Sequence, residues 1–136
     1  METPAGFQEI AHTADWELYV WAADLNTLLE QAARGMYSLM AARLQSSPRQ
    51  RRGFEIHYLD NESLLVSFLA ELLLLSELEN LGFDTFDLQI ESERLIADLS
   101  GAPIESIAKE IKAVTYHNLA IRNTASGLEA NIVFDV

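Results

Sequence analysis

Two carboxylates stand at the end of the chain, the side chain of Asp135 and the terminal group of Val136, both carried by an apolar strand pattern. Fixed anions that close repel each other unless a cation or a helix N-terminus compensates them. A third acid, Asp15, stands in a short irregular break, His12-Thr13-Ala14-Asp15, between two strand-like segments. Loops held by rigid strands are where sites tend to lie. Together Asp15, Asp135 and Val136 would offer oxygen-only, anionic ligation, which suits Ca²⁺, Mg²⁺ or Mn²⁺ rather than zinc. The plainer reading of Asp15 is a turn aspartate that bonds its own backbone.

Other chemistries find little support. The three histidines, His12, His57 and His117, fall in neither a His-x-x-x-His nor a His-Glu-x-x-His pattern, so a zinc hydrolase is not indicated. His57, on an expected strand, reads as a surface or packed residue. There is no Gly-x-Ser-x-Gly elbow, phosphate-binding loop or dinucleotide glycine pattern. The chain has no cysteine, which excludes disulfides, thiolate metal sites and cysteine catalysis. Other carboxylate pairs carry no weight in a chain this acidic.

The elements that must position these groups follow from periodicity. Residues 110–121 and 128–136 alternate as two strands, joined by a turn over Asn123 to Gly127, where glycine is free to take positive φ. On the last strand Leu128, Ala130, Ile132, Phe134 and Val136 share one face. Near the start, Phe7 to Ile10 and Trp16 to Ala22 read as strands flanking the break. Asp24 caps a helix with an apolar stripe from Leu25 to Met40, in which Gly35 implies close packing against a neighbour. Phe54 to Tyr58 alternate as a strand. Asp60 or Asn61 then caps a second helix, apolar on most sides, that stops at Asn80-Leu81-Gly82. Phe83 to Ile90 and Leu95 to Leu99 read as strands about a turn at Glu91 to Arg94, and Ser100 to Pro103 reads as a break. The expected fold class is α+β, two helices with antiparallel β-sheets, in an order open to reading as a duplicated strand–helix–strand–strand arrangement.

At 136 residues the chain is expected to form one domain (residues 1–136), and its 49% apolar and 22% charged content is globular rather than disordered. Met1 to Gly6 lacks the basic start and apolar core of a signal peptide. The most apolar run, Leu64 to Leu75, is too short to span a bilayer. A cytoplasmic protein without membrane contact is therefore expected. The net charge is −12, although Arg43, Arg49, Arg51 and Arg52 fall in one short stretch free of acids. So acidic a body disfavours direct binding to nucleic acid and suits a basic protein partner or a divalent cation. The arginine stretch is expected to be a solvated basic loop, with a phosphate contact as the alternative.

Several of these segments together resemble the archease family. The resemblance rests on His12-Thr13-Ala14-Asp15 with its following strand, the helix stretch Leu28-Leu29-Glu30-Gln31-Ala32-Ala33 with Gly35-Met36, the run Glu110 to His117, and the terminal Phe134-Asp135-Val136. It covers nearly the whole chain in the right order. It implies a non-catalytic activator of the RNA ligase that joins a 2′,3′-cyclic or 3′-phosphate end to a 5′-hydroxyl in tRNA splicing and RNA repair. Such an activator promotes guanylylation of the ligase histidine and repeated turnover. The family's metal site matches Asp15, Asp135 and the carboxylate of Val136. Lys112 matches the family's motif lysine, for which ligase activation and a solvated strand position are both open. The partner implied is the ligase itself, with RNA reached only through it. Two other classes stay open. A metal-dependent phosphohydrolase would need His12 as its base, and a chaperone or assembly module would need no chemistry.

Overall fold

The computed structural model describes residues 4–10 and 15–136. In chain order its elements are β1 (Gly6–Ile10), β2 (Trp16–Ala22), α1 (Leu25–Met40), β3 (Arg43–Leu44), β4 (Gln50–His57), α2 (Asn61–Glu79), β5 (Leu81–Glu91), β6 (Arg94–Ser106), β7 (Ala113–Val114), β8 (Arg122–Thr124) and β9 (Gly127–Asp135). The fold class is α+β, two helices with two antiparallel sheets, as expected. In the first sheet β2 lies between β1 and β9, and β7 and β8 share the far edge of β9. In the second, β6 is the central strand, with β5 on one edge and β4 and then β3 on the other. The strand–helix–strand–strand order β4–α2–β5–β6 stays within this second sheet, whereas β2–α1–β3–β4 divides between the two.

Capping and packing explain the helices. The Asp24 carboxylate accepts from Thr27 N–H at 3.0 Å, and Asp60 accepts from Ser63 N–H at 2.7 Å, each satisfying an otherwise orphaned donor of a first turn. Helix α1 packs on β1, β2, β9 and β5, while α2 packs on β4, β5, β6 and β7. The helices therefore join the two sheets through one apolar core. Phe68 and Phe134 are wholly buried there, each stabilising the fold by roughly 1.5–3 kcal/mol. At Gly35 an added Cβ would lie 2.5 Å from Leu18 Cδ2, the close packing that the glycine implied.

Three expectations need correction. Residues 100–103 do not break a strand; β6 runs through them. Only glycine fits at 101, where a Cβ would meet the Gly82 carbonyl oxygen at 1.8 Å, and an irregularity between Phe83 and Thr85 absorbs the close approach. Pro103 accepts from Gln45 N–H at 2.8 Å just where β3 ends, so its missing donor is lost at the end of a ladder. Nor do residues 110–121 form one strand. Only Ala113–Val114 and Arg122–Thr124 pair with β9. Thr115 directs both its N–H and its hydroxyl at Val133 O, and Asn118 takes a left-handed φ of 52°. The segment then arches out of the sheet and returns where Glu62 of α2 accepts from Ile121 N–H at 2.8 Å. Leu119 and Ile121 thereby pack on the core.

The third correction concerns the arginines, which border or lie in strands rather than forming a solvated loop. Arg49 pairs with Asp84 at 2.7 Å, Arg51 with Asp98 at 2.5 Å and Arg52 with Glu79 at 2.7 Å. Pairing with Arg49 holds the Asp84 carboxyl below the usual range, and Arg52 does the same for Glu79. The turn at Glu91 to Arg94 is as expected. Its two central residues, Ser92 and Glu93, both have positive φ, 51° and 60°, the backbone twist that a two-residue hairpin favours.

Candidate functional site

Strand register brings the distant acids towards each other. Trp16 of β2 stands opposite Phe134 of β9, and both belong to the core side of the sheet. Asp15 precedes Trp16 and Asp135 follows Phe134, so the two acids flank this last pair of the register, and alternation turns Asp135 to the outer face. Asp15 and Asp135 are exposed and Val136 is half-buried, packed against the core. On the far side of β9, Ala113 stands opposite Asp135, and Lys112 N–H donates to Asp135 O at 2.8 Å. The start of β2, the end of β9 and the entry to β7 thus meet at one end of one sheet. His12 lies outside the described residues.

Asp15 borders a hollow of about 410 Å³ on the outer face, lined also by Glu17, His117, Asn118, Arg122 and Asn131. A hydrogen-bonded chain crosses its floor. Asn131 donates to Glu17 at 2.7 Å and Arg122 donates to Asn131 at 2.8 Å. Arg122 also donates to Glu129 at 3.2 Å, and the Tyr19 hydroxyl donates to the same carboxylate at 2.5 Å. The Tyr19 bond first, and Arg122 second, hold the Glu129 carboxyl below its ordinary range. Sequence reasoning missed this chain. Its members were legible as the outward positions of two alternating strands, but the register that sets Glu17 against Val133 and Trp21 against Glu129 was not.

Lys112 is exposed and lines a different and larger groove, between the ends of the two helices. Its N–H bonds the Asp135 carbonyl, and the residue also lines that groove. His57 is an exposed strand residue 3.9 Å from Glu55.

The donor chemistry bears on whether a metal would fit. No three His, Cys, Asp or Glu side chains gather into a metal-ligating set among the described residues, so Asp15 and Asp135 would need a further donor. Neither aspartate has an ion-pair partner among the described residues. Two carboxylates that flank one strand pair, neither of them in an ion pair, are suited to a hard divalent ion, which takes oxygen ligands and tolerates an irregular set. No described helix is long and apolar enough to cross a membrane.

A small α+β protein with two antiparallel sheets, two joining helices and an acidic pair at paired strand ends is the class that these features define. Residues 7–136 match the model of the Archease protein family (MTH1598/TM1083). The chain belongs to the archease family. It is 32% identical over 129 residues to Protein archease of Thermococcus gammatolerans, covering 89% of this chain and 91% of the relative. It is also 32% identical over 142 residues to Protein archease of Methanosarcina barkeri, covering 96% and 95%. Among solved structures, protein 1598 of Methanobacterium thermoautotrophicum superposes with a TM-score of 0.73 at 26% identity, over 96% of this chain and 99% of that one. A Thermotoga maritima protein described as an archease, possible chaperone, shares the fold with a TM-score of 0.69 at 19% identity, over 100% and 98%.

Proposed function

We propose that this protein is a non-catalytic activator of an RNA ligase that joins 2′,3′-cyclic or 3′-phosphate ends to 5′-hydroxyl ends in tRNA splicing and RNA repair. It works in the cytoplasm through a bound divalent ion, Ca²⁺, Mg²⁺ or Mn²⁺. The reading is supported by membership of the archease family and by an antiparallel register that ends on Trp16 and Phe134, the residues next to Asp15 and Asp135 in the chain. Asp15, Asp135 and the terminal carboxylate of Val136 would hold the ion. When bound, it supplies positive charge against phosphate during guanylyl transfer to the ligase histidine. The chain's own residues hold and orient. The Lys112 N–H fixes the backbone of Asp135, and the Val136 side chain anchors the strand end on the core. The Lys112 ammonium would meet the ligase, and His12 is the second residue assigned to ligase activation. The protein acts by shifting the ligase towards a competent state, not by supplying a nucleophile.

The test is a ligation assay with a ligase of this class, GTP and metal, with and without the protein. Faster guanylylation and repeated turnover are expected, both lost on Asp135→Asn. No change on adding the protein would remove the activator reading. Full activation by a double Asp15→Asn, Asp135→Asn variant would favour a chaperone without metal chemistry. Steady phosphoester hydrolysis by the protein alone, lost on Asp15→Ala, would favour a hydrolase.

A further inference from the structure

The outer edge of the second sheet carries an arrangement that the activator reading does not use. β6 is paired on both sides, which leaves β4 and β5 with one outer edge each. Helix α1 takes up part of the β5 edge, where Asn26 donates to Leu88 O at 3.4 Å and Arg34 to Asp84 O at 3.2 Å. Among the described residues no strand but β6 pairs with β4. Beyond the end of that ladder Tyr58 N–H donates to Glu93 O at 3.1 Å. Hydrogen-bonded pairs alternate along an antiparallel ladder, so Ile56, Phe54, Arg52 and Gln50 bond to β6. Arg51, Gly53, Glu55 and His57 therefore point N–H and C=O outward. Of these groups, Arg51 O accepts from the Arg52 side chain at 2.7 Å and keeps a second lone pair. Such an edge is a template for a further strand.

Two features single out this edge. Arg51 and Glu55 stand two residues either side of Gly53 on the solvent face, their side chains 75% and 49% exposed. Gly53 itself is unexplained within the protomer. A Cβ at Gly6, Gly35, Gly82, Gly101 or Gly127 would lie 2.6 Å or less from a neighbouring atom. At Gly53 it would meet only Ala97 O, at 3.5 Å, and φ there is not positive. Glycine weakens a strand interior and often marks the close approach of another backbone.

We propose that β4 pairs antiparallel with β4 of a second copy of this chain, across a two-fold axis at Gly53, joining the second sheets of the two copies into one. An axis perpendicular to the sheet keeps both solvent faces on one side, so outward residues meet outward residues. With Gly53 on the axis, Arg51 of each copy faces Glu55 of the other. Within its own protomer Arg51 pairs with Asp98, and Glu55 lies 3.7 Å from Arg94. The charges would thus alternate across the seam, Asp98 and Arg51 from one copy, then Glu55 and Arg94 from the other. The missing side chain at the axis leaves room for the two symmetric pairs. Moving the axis to Phe54 would set Arg51 against His57 and Glu55 against Gly53, and lose both. Charge selects this occupant: a strand of one sign would satisfy only one of the two positions, whereas the chain's own segment satisfies both. The seam also adjoins the stretch 43–52, with four arginines and no acid, where self-repulsion of so acidic a chain is weakest. It uses neither Asp15, Asp135 nor Lys112 and needs no metal, so it stands or falls separately from the activator reading.

The test is sedimentation equilibrium of the intact protein in EDTA, beside Arg51→Glu, Glu55→Arg and the double swap. The wild type should associate to a dimer by about 1 mM. Each single variant sets like charges opposite each other twice. It should raise the dimer dissociation constant at least about tenfold, and the swap should bring it back to within about threefold of wild type. If net charge governed instead, Arg51→Glu would weaken association and Glu55→Arg would strengthen it, and that outcome overturns the proposal. So would a monomer throughout, or a swap that stays weak. In the wild type, amide exchange at Arg51, Gly53 and Glu55 should slow as concentration rises. Slowing centred on other strands would place the interface elsewhere and equally overturn the proposal. That measurement needs no variant to fold. Both substituted positions are exposed, and an unchanged thermal midpoint in dilute, monomeric protein separates lost pairing from lost folding.

Discussion

The second sheet and the far end of the first sheet carry their charges in opposite ways. On and beside β4, β5 and β6, Arg49, Arg51, Arg52 and Arg94 each lie within reach of a carboxylate. At the end of β2 and β9, and around the groove beside them, Asp15, Asp135, Glu77, Glu105 and Glu110 have no ion-pair partner among the described residues. Exposed ion pairs stabilise a fold only slightly, so the arginines do not explain why the second sheet folds. The pairs do occupy three of the four arginines of the stretch, leaving Arg43 exposed and without an ion pair among the described residues. The unneutralised end is different, because clustered like charges weaken the folded state unless something outside the chain compensates them. The difference therefore separates a surface whose arginines and acids pair within the chain from one whose carboxylates do not.

Four experiments would sharpen or break that contrast. The largest effect belongs to the self-contained side. Gly101→Ala would press a Cβ against backbone on both Gly82 and Phe83, and should cost about 3 kcal/mol or more, read by urea denaturation. A loss below about 1 kcal/mol would mean the β5–β6 contact is loose. Next, the capped start of α1 can be set against its end at the groove. Asp24→Ala should cost about 1 kcal/mol. Because the Thr27 bonds lower the folded pKa of Asp24, the difference should be present at neutral pH. It should disappear as pH falls through that lowered value, and a difference that persists or grows in acid would contradict the cap.

Smaller again is the pH response of the paired sheet. The carboxyls of Asp84 and Glu79 are lowered by Arg49 and Arg52. Their stabilisation is present above the ordinary carboxylate range, about pH 4, and is lost as pH falls through the lowered values. Arg49→Gln should flatten this acid limb, and an unaltered limb would show the pair to be inert. The smallest change in stability is expected at the other surface. Asp135→Asn should alter thermal unfolding in metal-free buffer by under about 0.5 kcal/mol, with any shift towards greater stability, while weakening divalent-cation affinity at least about tenfold. A marked loss of stability without metal would make Asp135 a structural residue and dissolve the contrast.

Much of this protein was decided locally. Alternation placed β2 and β9, a 3.6-residue stripe placed α1, a nearly continuous apolar run placed α2, and Asp24 and Asp60 read as their caps, because these signals depend on neighbours a few residues apart. Gly35 announced its contact with Leu18 through the cost of a glycine inside a helix. Asp15 and Asp135 were legible as candidates by type and by the strand ends on which they sit. What only the tertiary structure decided depends on partners far along the chain. The β6 strand runs through Gly101 and Pro103 because the backbone of β5 lies close beside it, which no local rule could supply. The segment 115–121 leaves its sheet after Thr115, whose donors still reach Val133 O on β9, because Asn118 turns the chain and Glu62 of α2 takes the Ile121 N–H. The arginine stretch became paired sheet because β6, from much later in the chain, pairs with β3 and β4, and Asp84, Asp98 and Glu79 then lie within reach of its arginines. The register that ends on Trp16 and Phe134, flanked by Asp15 and Asp135, and the convergence of two helix ends at one groove join residues more than thirty positions apart. Those separations close only when the core does, because burial of the apolar faces, not any local preference, holds the strands and helices in that arrangement.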